Sequence, residues 1–357
     1  MSFRGKKTMT FIKSVIVSSV LAAAAFSGAA SAKSINGAGA SFPHPVYAKW
    51  AEEYNQETGV KINYQAIGSG GGIRQITAKT VDFGATDAPL DQQRLNDEGM
   101  IQFPMVMGAI VPVVNIPGIE PGALKLTGDI VADIYMGKIK KWNDERITSI
   151  NPDLKIPGQS IYVVHRSDGS GTTYNFTDYL SQVSETWKND VGTNTDITWP
   201  KAATTIGANG NAGVANFVRR TRGSIGYVEY AFAKQNNLSH TQLASAEGKF
   251  LQPTMETFQA AAMNADWKNA PGFRLLLNNQ PGADSWPMTA ATFILMHKDQ
   301  ADAGKAREII EFFDWSYENG AKMAESLDFI PMPESVIELV ENTWKQQLSH
   351  KGTAIIQ

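Results

Sequence analysis

The sequence predicts an α/β chain folded as two lobes with a ligand cleft between them, and three observations carry that reading. Strand-like runs alternate with helix-like ones from residue 35 onward, the rhythm of βα units. Two apolar, β-branched runs, Phe103 to Asn115 and Thr289 to His297, bracket a middle segment of domain size. Glycine-rich turns separate a strand-like run from a helical one at Gly68–Gly72 and at Ser167–Thr173, and a third, Gly207–Gly213, precedes another helix.

Residues 1–32 read as an address. Arg4, Lys6, Lys7 and Lys13 precede an apolar run from Val15 to Phe26 and then Ala30-Ser31-Ala32, the grammar of a secretory signal peptide. The run is too short and too rich in Ala and Ser to span a membrane, and no later stretch offers about 18 uninterrupted apolar residues. Removing it lowers the formal charge from −3 to −7, so any bound anion is held by local groups. The remaining 325 residues are expected to divide into a first lobe over 33–110, a second over 111–288, and a return to the first over 289–357.

Ile35 to Pro43 is a short extended piece running into prolines that suit a helix start, with Ser41 as the natural N-cap. Val46, Tyr47, Trp50, Ala51 and Tyr54 mark one face of a helix that Gly59 should stop. Val60, Ile62, Tyr64 and Ala66 alternate as a half-buried strand, followed by the glycine run and a helical face of Ile73, Ile76 and Thr77. That run is neither a dinucleotide fingerprint, since Ile73 stands where the third glycine belongs, nor a Walker loop, since no Lys-Ser/Thr follows. It leaves a turn whose backbone can approach a ligand, with the Ser69 hydroxyl beside it.

Val81 to Leu90 is a strand ending in Asp87, which either caps the following turn or accepts a hydrogen bond from a guest that carries a proton. Leu124 to Ile150 should be helical in two pieces, one with Ile130, Ile134 and Tyr135, the next with Ile139, Trp142 and Ile147; Lys138, Lys140 and Lys141 fit a solvated face. Ile161 to Val164 is a strand ending in His165-Arg166, and the helix after it carries Tyr174, Phe176, Tyr179, Leu180 and Val183. Ser170 is then an N-cap, with Gly171, Thr172 and Thr173 offering backbone N–H groups at the positive end of the helix, a natural anion cradle. Arg166 adds a planar fork of donors and Asp168 a carboxylate to hold it. Gly207–Gly213, before another helix, either lines the cleft or is plain turn chemistry, with the turn the favoured reading, and Ser224 to Tyr230 is a strand and turn leading into a helix. Ile309 to Trp315 and Val336 to Trp344 mark two amphipathic helices that should pack back on the first lobe.

Composition excludes several classes of function. Cysteine is absent, and His44, His165, His240, His297 and His350 are scattered without metal-ligand spacing, so neither disulfides nor a zinc site is expected. No basic stripe is available to track nucleic acid. A phosphate-ester hydrolase with Ser69 or Ser170 as nucleophile is a poor fit, since neither serine sits in G-x-S-x-G and no general base stands by. No catalytic residue and no cofactor is assigned.

Four separated stretches, GAGASFPHPVYAKWAEEY, Ile67 to Gly72, VDFGATDAPL and HRSDGSGTT, together resemble the periplasmic phosphate-binding proteins of bacterial phosphate ABC transporters, in the family's order and across the whole mature chain. The resemblance implies a type II periplasmic-binding-protein fold, a periplasmic location, and a chain expected to act as a monomer that delivers phosphate to permease subunits at the inner membrane. It assigns phosphate binding to Ser41 and Phe42 through backbone N–H groups and the Ser41 hydroxyl, to Ser69, and to Asp87 as acceptor of the phosphate's proton. Arg166, Ser170, Gly171 and Thr172 complete the site, with Asp168 pairing Arg166. Family members often carry Thr where Ser41 stands, which keeps the hydroxyl, and another basic residue where His165 stands.

The residues support the same chemistry independently. Many donors, one fixed cation and a single acceptor, Asp87 in ionised form, suit a protonated tetrahedral oxyanion, monobasic or dibasic phosphate. Sulfate would leave Asp87 facing a bare oxygen. A binding protein for sulfate, molybdate or another oxyanion is the nearest alternative.

Overall fold

Alternating β-branched and apolar residues build the strands, and glycine decides how closely the helices approach them. The structure, a computed structural model, describes residues 34–356, so the expected signal peptide lies outside the described residues. The first elements are β1 (Ser34–Gly39), α1 (His44–Thr58), β2 (Lys61–Ala66), α2 (Ser69–Thr77) and β3 (Phe83–Thr86). The long β4 (Met100–Val114) follows, then α3 (Gly128–Tyr135), β5 (Tyr162–Arg166), α4 (Gly171–Val183), β6 (Thr205–Ala208), α5 (Gly210–Arg220) and β7 (Ser224–Glu229). The chain returns through β8 (Met288–His297), and helices α6 (Ala303–Asn319) and α7 (Glu334–Gln347) follow. Among the described residues no helix is long and apolar enough to cross a membrane.

The principal strand order is β2-β1-β3-β8-β4-β7-β5-β6. β4 holds the two halves of this sheet together: Met100 to Ala109 pair with β8, and Ile110 to Val114 pair with β7. Every residue of β4 is buried. β1, β2 and β3 run parallel on one side, and β5 runs parallel to β6 and β7 on the other. Strand ends of each half therefore point at a shared crevice, the place where open α/β sheets put their ligands. α6 and α7 cover the first half through edge-on aromatic pairs, Tyr54 with Phe312 at 5.3 Å, Phe83 with Phe313 at 5.1 Å and Phe103 with Trp344 at 5.2 Å.

Three local expectations need correction. α1 begins at His44 behind Pro43, without a side-chain cap, so Ser41 is not its N-cap. The expected second helical piece after α3 is one short turn of helix, Glu145–Thr148; Ile139 and Trp142 lie before it, and the Trp142 indole N–H donates to the Gly223 carbonyl at 2.9 Å. The glycine run is not a turn, because α2 already starts at Ser69. The reason is contact: a Cβ on Gly72 would stand 2.5 Å from the Gly39 Cα and 2.6 Å from the Ala38 carbonyl oxygen, so only glycine lets α2 lie directly on the strand backbones.

Candidate functional site

Arg166 ends β5 with its guanidinium buried between the halves. Its Nε donates to Asp168 Oδ1 at 2.7 Å, its Nη2 donates to Asp168 Oδ2, and its Nη1 donates to Thr172 Oγ1 at 3.3 Å. Five N–H groups less these three leave two on the outer edge of the fork. Burial works against the Asp168 charge, but the Arg166 fork and its charge, with the Gly210 N–H, hold that carboxyl below the usual carboxylate range. His165 faces away, stacked on Trp199 with ring centroids 4.5 Å apart.

Ser170 caps α4 as expected, its Oγ accepting from the Thr173 N–H at 3.0 Å. The Gly171 N–H crosses the crevice to Ser69 Oγ at 3.0 Å. Thr172 supplies the remaining first-turn N–H, which has no acceptor inside the helix. On the first half, Ser69 opens α2 and its Oγ also accepts from the Asp87 N–H at 3.1 Å. The Phe42 ring is core, fully buried and edge-on to Phe329, so only its backbone N–H can serve a ligand. The halves meet again where the Gly70 N–H donates to the Gly169 carbonyl at 2.8 Å and where Asn175 Nδ2 donates to the Asp87 carbonyl at 2.7 Å.

Asp87 follows β3 directly and is almost fully buried, and neither carboxylate oxygen has a hydrogen-bond partner of normal geometry. It is therefore not a turn cap. Burial pushes its carboxyl up to about 7, against the opposing pull of the Thr292 hydroxyl, the Arg166 charge and the Ser69 hydroxyl, which lie near without closing full hydrogen bonds. Near pH 7 Asp87 is therefore divided between its ionised form, the one expected, and its neutral form. An orphaned buried acceptor is costly, and it points to a partner outside the protein.

The third glycine-rich loop, for which plain turn was favoured over cleft lining, belongs to the site. Gly210 adopts φ 67 and its N–H donates to Asp168 Oδ1 at 3.1 Å. The buried Asn211 Nδ2 donates to Ser41 Oγ at 3.1 Å and to Thr172 Oγ1 at 3.2 Å, and its backbone N–H also reaches Ser41 Oγ at 3.1 Å. No spacing in the sequence marks Asn211; a third glycine-rich turn before a helix is the available signal.

These bonds fix the polarity of the site. A hydroxyl has two lone pairs and one proton. Ser41 Oγ accepts twice from Asn211, Ser69 Oγ accepts from Asp87 and Gly171, and Thr172 Oγ1 accepts from Arg166 and Asn211. All three hydroxyls are thereby left as donors. The residues singled out from the sequence, Ser41, Phe42, Ser69, Asp87, Arg166, Ser170, Gly171 and Thr172, converge on one place, rich in donors with Asp87 as its unpaired acceptor. Among the described residues no group of three or more His, Asp or Glu side chains could hold a metal ion.

Fold and crevice define a two-lobed solute-binding protein of the type II periplasmic-binding-protein class. A family model described as the PBP superfamily domain matches residues 24–319. The chain is 51% identical to the phosphate-binding protein PstS of Haemophilus influenzae over 319 residues, 89% of this chain and 95% of that protein. It is 35% identical to the phosphate-binding protein PstS of Methanocaldococcus jannaschii, covering 84% of this chain and 83% of that one. It belongs to the family of PstS phosphate-binding proteins. Solved structures share the fold: a high affinity periplasmic phosphate-binding protein, PfluDING, bound with phosphate, at TM-score 0.68 and 20% identity over 90% of this chain and 96% of that one. An ABC-type phosphate transport receptor from Vibrio cholerae aligns at TM-score 0.52 and 20% identity, over 84% of this chain and all of that one.

Proposed function

We propose that this chain is the exported phosphate-capturing component of an ABC transporter, a binding protein rather than an enzyme. It would act in the periplasm, as a monomer, delivering its ligand to permease subunits at the inner membrane. The observation that carries the ligand is the polarity of the crevice: three hydroxyls held as donors, an Arg166 fork with two free N–H groups, and one orphaned carboxyl at Asp87. Phosphate accepts at its oxygens and still carries a proton for Asp87. Ser41, Phe42, Ser69, Arg166, Ser170, Gly171 and Thr172 donate, and Asp168 limits the charge of Arg166. With their lone pairs filled, the Ser41, Ser69 and Thr172 hydroxyls would each offer a proton to the guest, which favours holding an anion over attacking it.

The change of β4 partner between Ala109 and Ile110, and the start of β8 at Met288, support the lobe division 33–110, 111–288 and 289–357. Calorimetric titration of the mature protein with phosphate and with sulfate tests the assignment. Tight uptake of phosphate with sulfate far weaker is expected, and equal affinities would move the protein to another oxyanion.

A further inference from the structure

We propose that Asn211 is the positioning residue that sets the donor polarity of this crevice, holding the Ser41 and Thr172 hydroxyls, one from each half of the sheet, with their protons toward the guest. The proposal rests on the oxyanion reading of the site and adds a residue that touches no ligand itself. Asn211 is wholly buried as the second residue of α5. Its Oδ1 accepts from the Glu229 N–H at 2.9 Å, at the end of β7. Turning the amide over would set its NH2 against that N–H, donor to donor, so Nδ2 is locked toward the crevice.

The two Nδ2 hydrogens then fill one lone pair on Ser41 and one on Thr172. The second lone pair of each is filled by the Asn211 backbone N–H and by Arg166 Nη1 respectively. Asn211 thus supplies three of the four bonds that make these hydroxyls donors. Its place is held by the Gly210 N–H on Asp168, so the Arg166–Asp168 pair, the loop and the two hydroxyls form one continuous set. Without the amide, each hydroxyl regains an open lone pair and can turn it toward the oxyanion, which repels it.

A structural role alone would cost stability in any background, so the test is a cycle. Phosphate is titrated by calorimetry into wild type, Asn211→Ala, Ser41→Ala/Thr172→Ala, and the triple variant. Asn211→Ala is expected to weaken binding roughly tenfold when the hydroxyls are present and less than about twofold when they are absent. Equal losses in the two backgrounds, or none in the first, overturn the proposal. Asn211→Asp keeps the shape and the Glu229 contact; ionised it only accepts, and protonated it offers one O–H where the amide offers two N–H groups, so at least one of the two hydroxyls swings toward it. It should weaken phosphate at least roughly a hundredfold, and it decides the matter if the alanine variant does not fold; affinity within about threefold of wild type would overturn the idea. Wild type reads the phosphate assignment separately. Should it bind a different tetrahedral oxyanion, that assignment falls and the same cycle is run with that ion.

Discussion

Asp87→Asn replaces a buried, unpartnered carboxyl by an uncharged group of the same shape, and the structure sets the size of the effect. Burial lifts the carboxyl from 3.8 to about 7. At about 1.4 kcal/mol per pH unit, that gap of about three units destabilises the empty folded protein by about 4 kcal/mol wherever Asp87 is ionised. The folded value lies above the unfolded one, so the folded chain keeps a proton that the unfolded chain has lost between about pH 4 and 7. Stability therefore falls as pH rises through that window, and the penalty is complete above about 7. Asp87→Asn escapes it. The variant should be more stable than wild type by about 4 kcal/mol at pH 8, narrowing to about 2 kcal/mol at pH 5. Urea unfolding in buffers free of phosphate and sulfate measures both values. Equal stabilities at pH 8, or the same difference at the two pH values, would refute the reasoning. The same variant removes the charge that repels a bare oxyanion and can turn an amide donor inward, so it should keep much of the phosphate affinity while sulfate gains. An unchanged ratio of the two affinities, at one pH and one salt concentration, would show that Asp87 is not the discriminator.

Arg166→Ala removes two free donors, at about 1.5–3 kcal/mol for each charge-assisted bond, and strands Asp168 beside the anion. Calorimetry should show phosphate binding weakened at least roughly a hundredfold, and an unchanged dissociation constant would return Arg166 to a purely structural ion pair. Ser69→Ala leaves the Asp87 and Gly171 N–H groups without their acceptor and deletes a donor, so a loss of roughly tenfold to a hundredfold is expected in the same assay. Gly171→Ala would place a Cβ 2.5 Å from Ser69 Oγ and 2.6 Å from Asp87 Cβ, so the halves cannot meet. Small-angle scattering with saturating phosphate should find this variant more extended than wild type; identical profiles would show that the contact yields locally.

Much of the molecule was legible along the chain because local physics wrote it there. The face of Val46, Tyr47, Trp50 and Tyr54, closed by Gly59 at φ 75, is helix periodicity plus a left-handed stop. Ser170 is a cap because its hydroxyl reaches three residues ahead. Arg166 and Asp168 find one another across a single intervening residue. Short-range geometry of this kind survives into any fold that contains it. Ser41 shows the limit: its composition and place suit a cap, yet its hydroxyl is taken by Asn211, 170 positions away.

Local chemistry along the chain is enough for the order of strands and helices, the cradle at Ser167–Thr173 and the choice of chemistry, donors with one acid. Tertiary structure alone decided the rest. That α2 begins at Ser69 follows from how near Gly72 comes to the Gly39 and Ala38 backbones. The orphaned state and raised affinity for a proton at Asp87 follow from burial beneath both halves. The inward protons of Ser41, Ser69 and Thr172 depend on acceptors already filled by distant N–H groups, because a hydroxyl turns freely until its lone pairs are occupied, and only the closed fold occupies them.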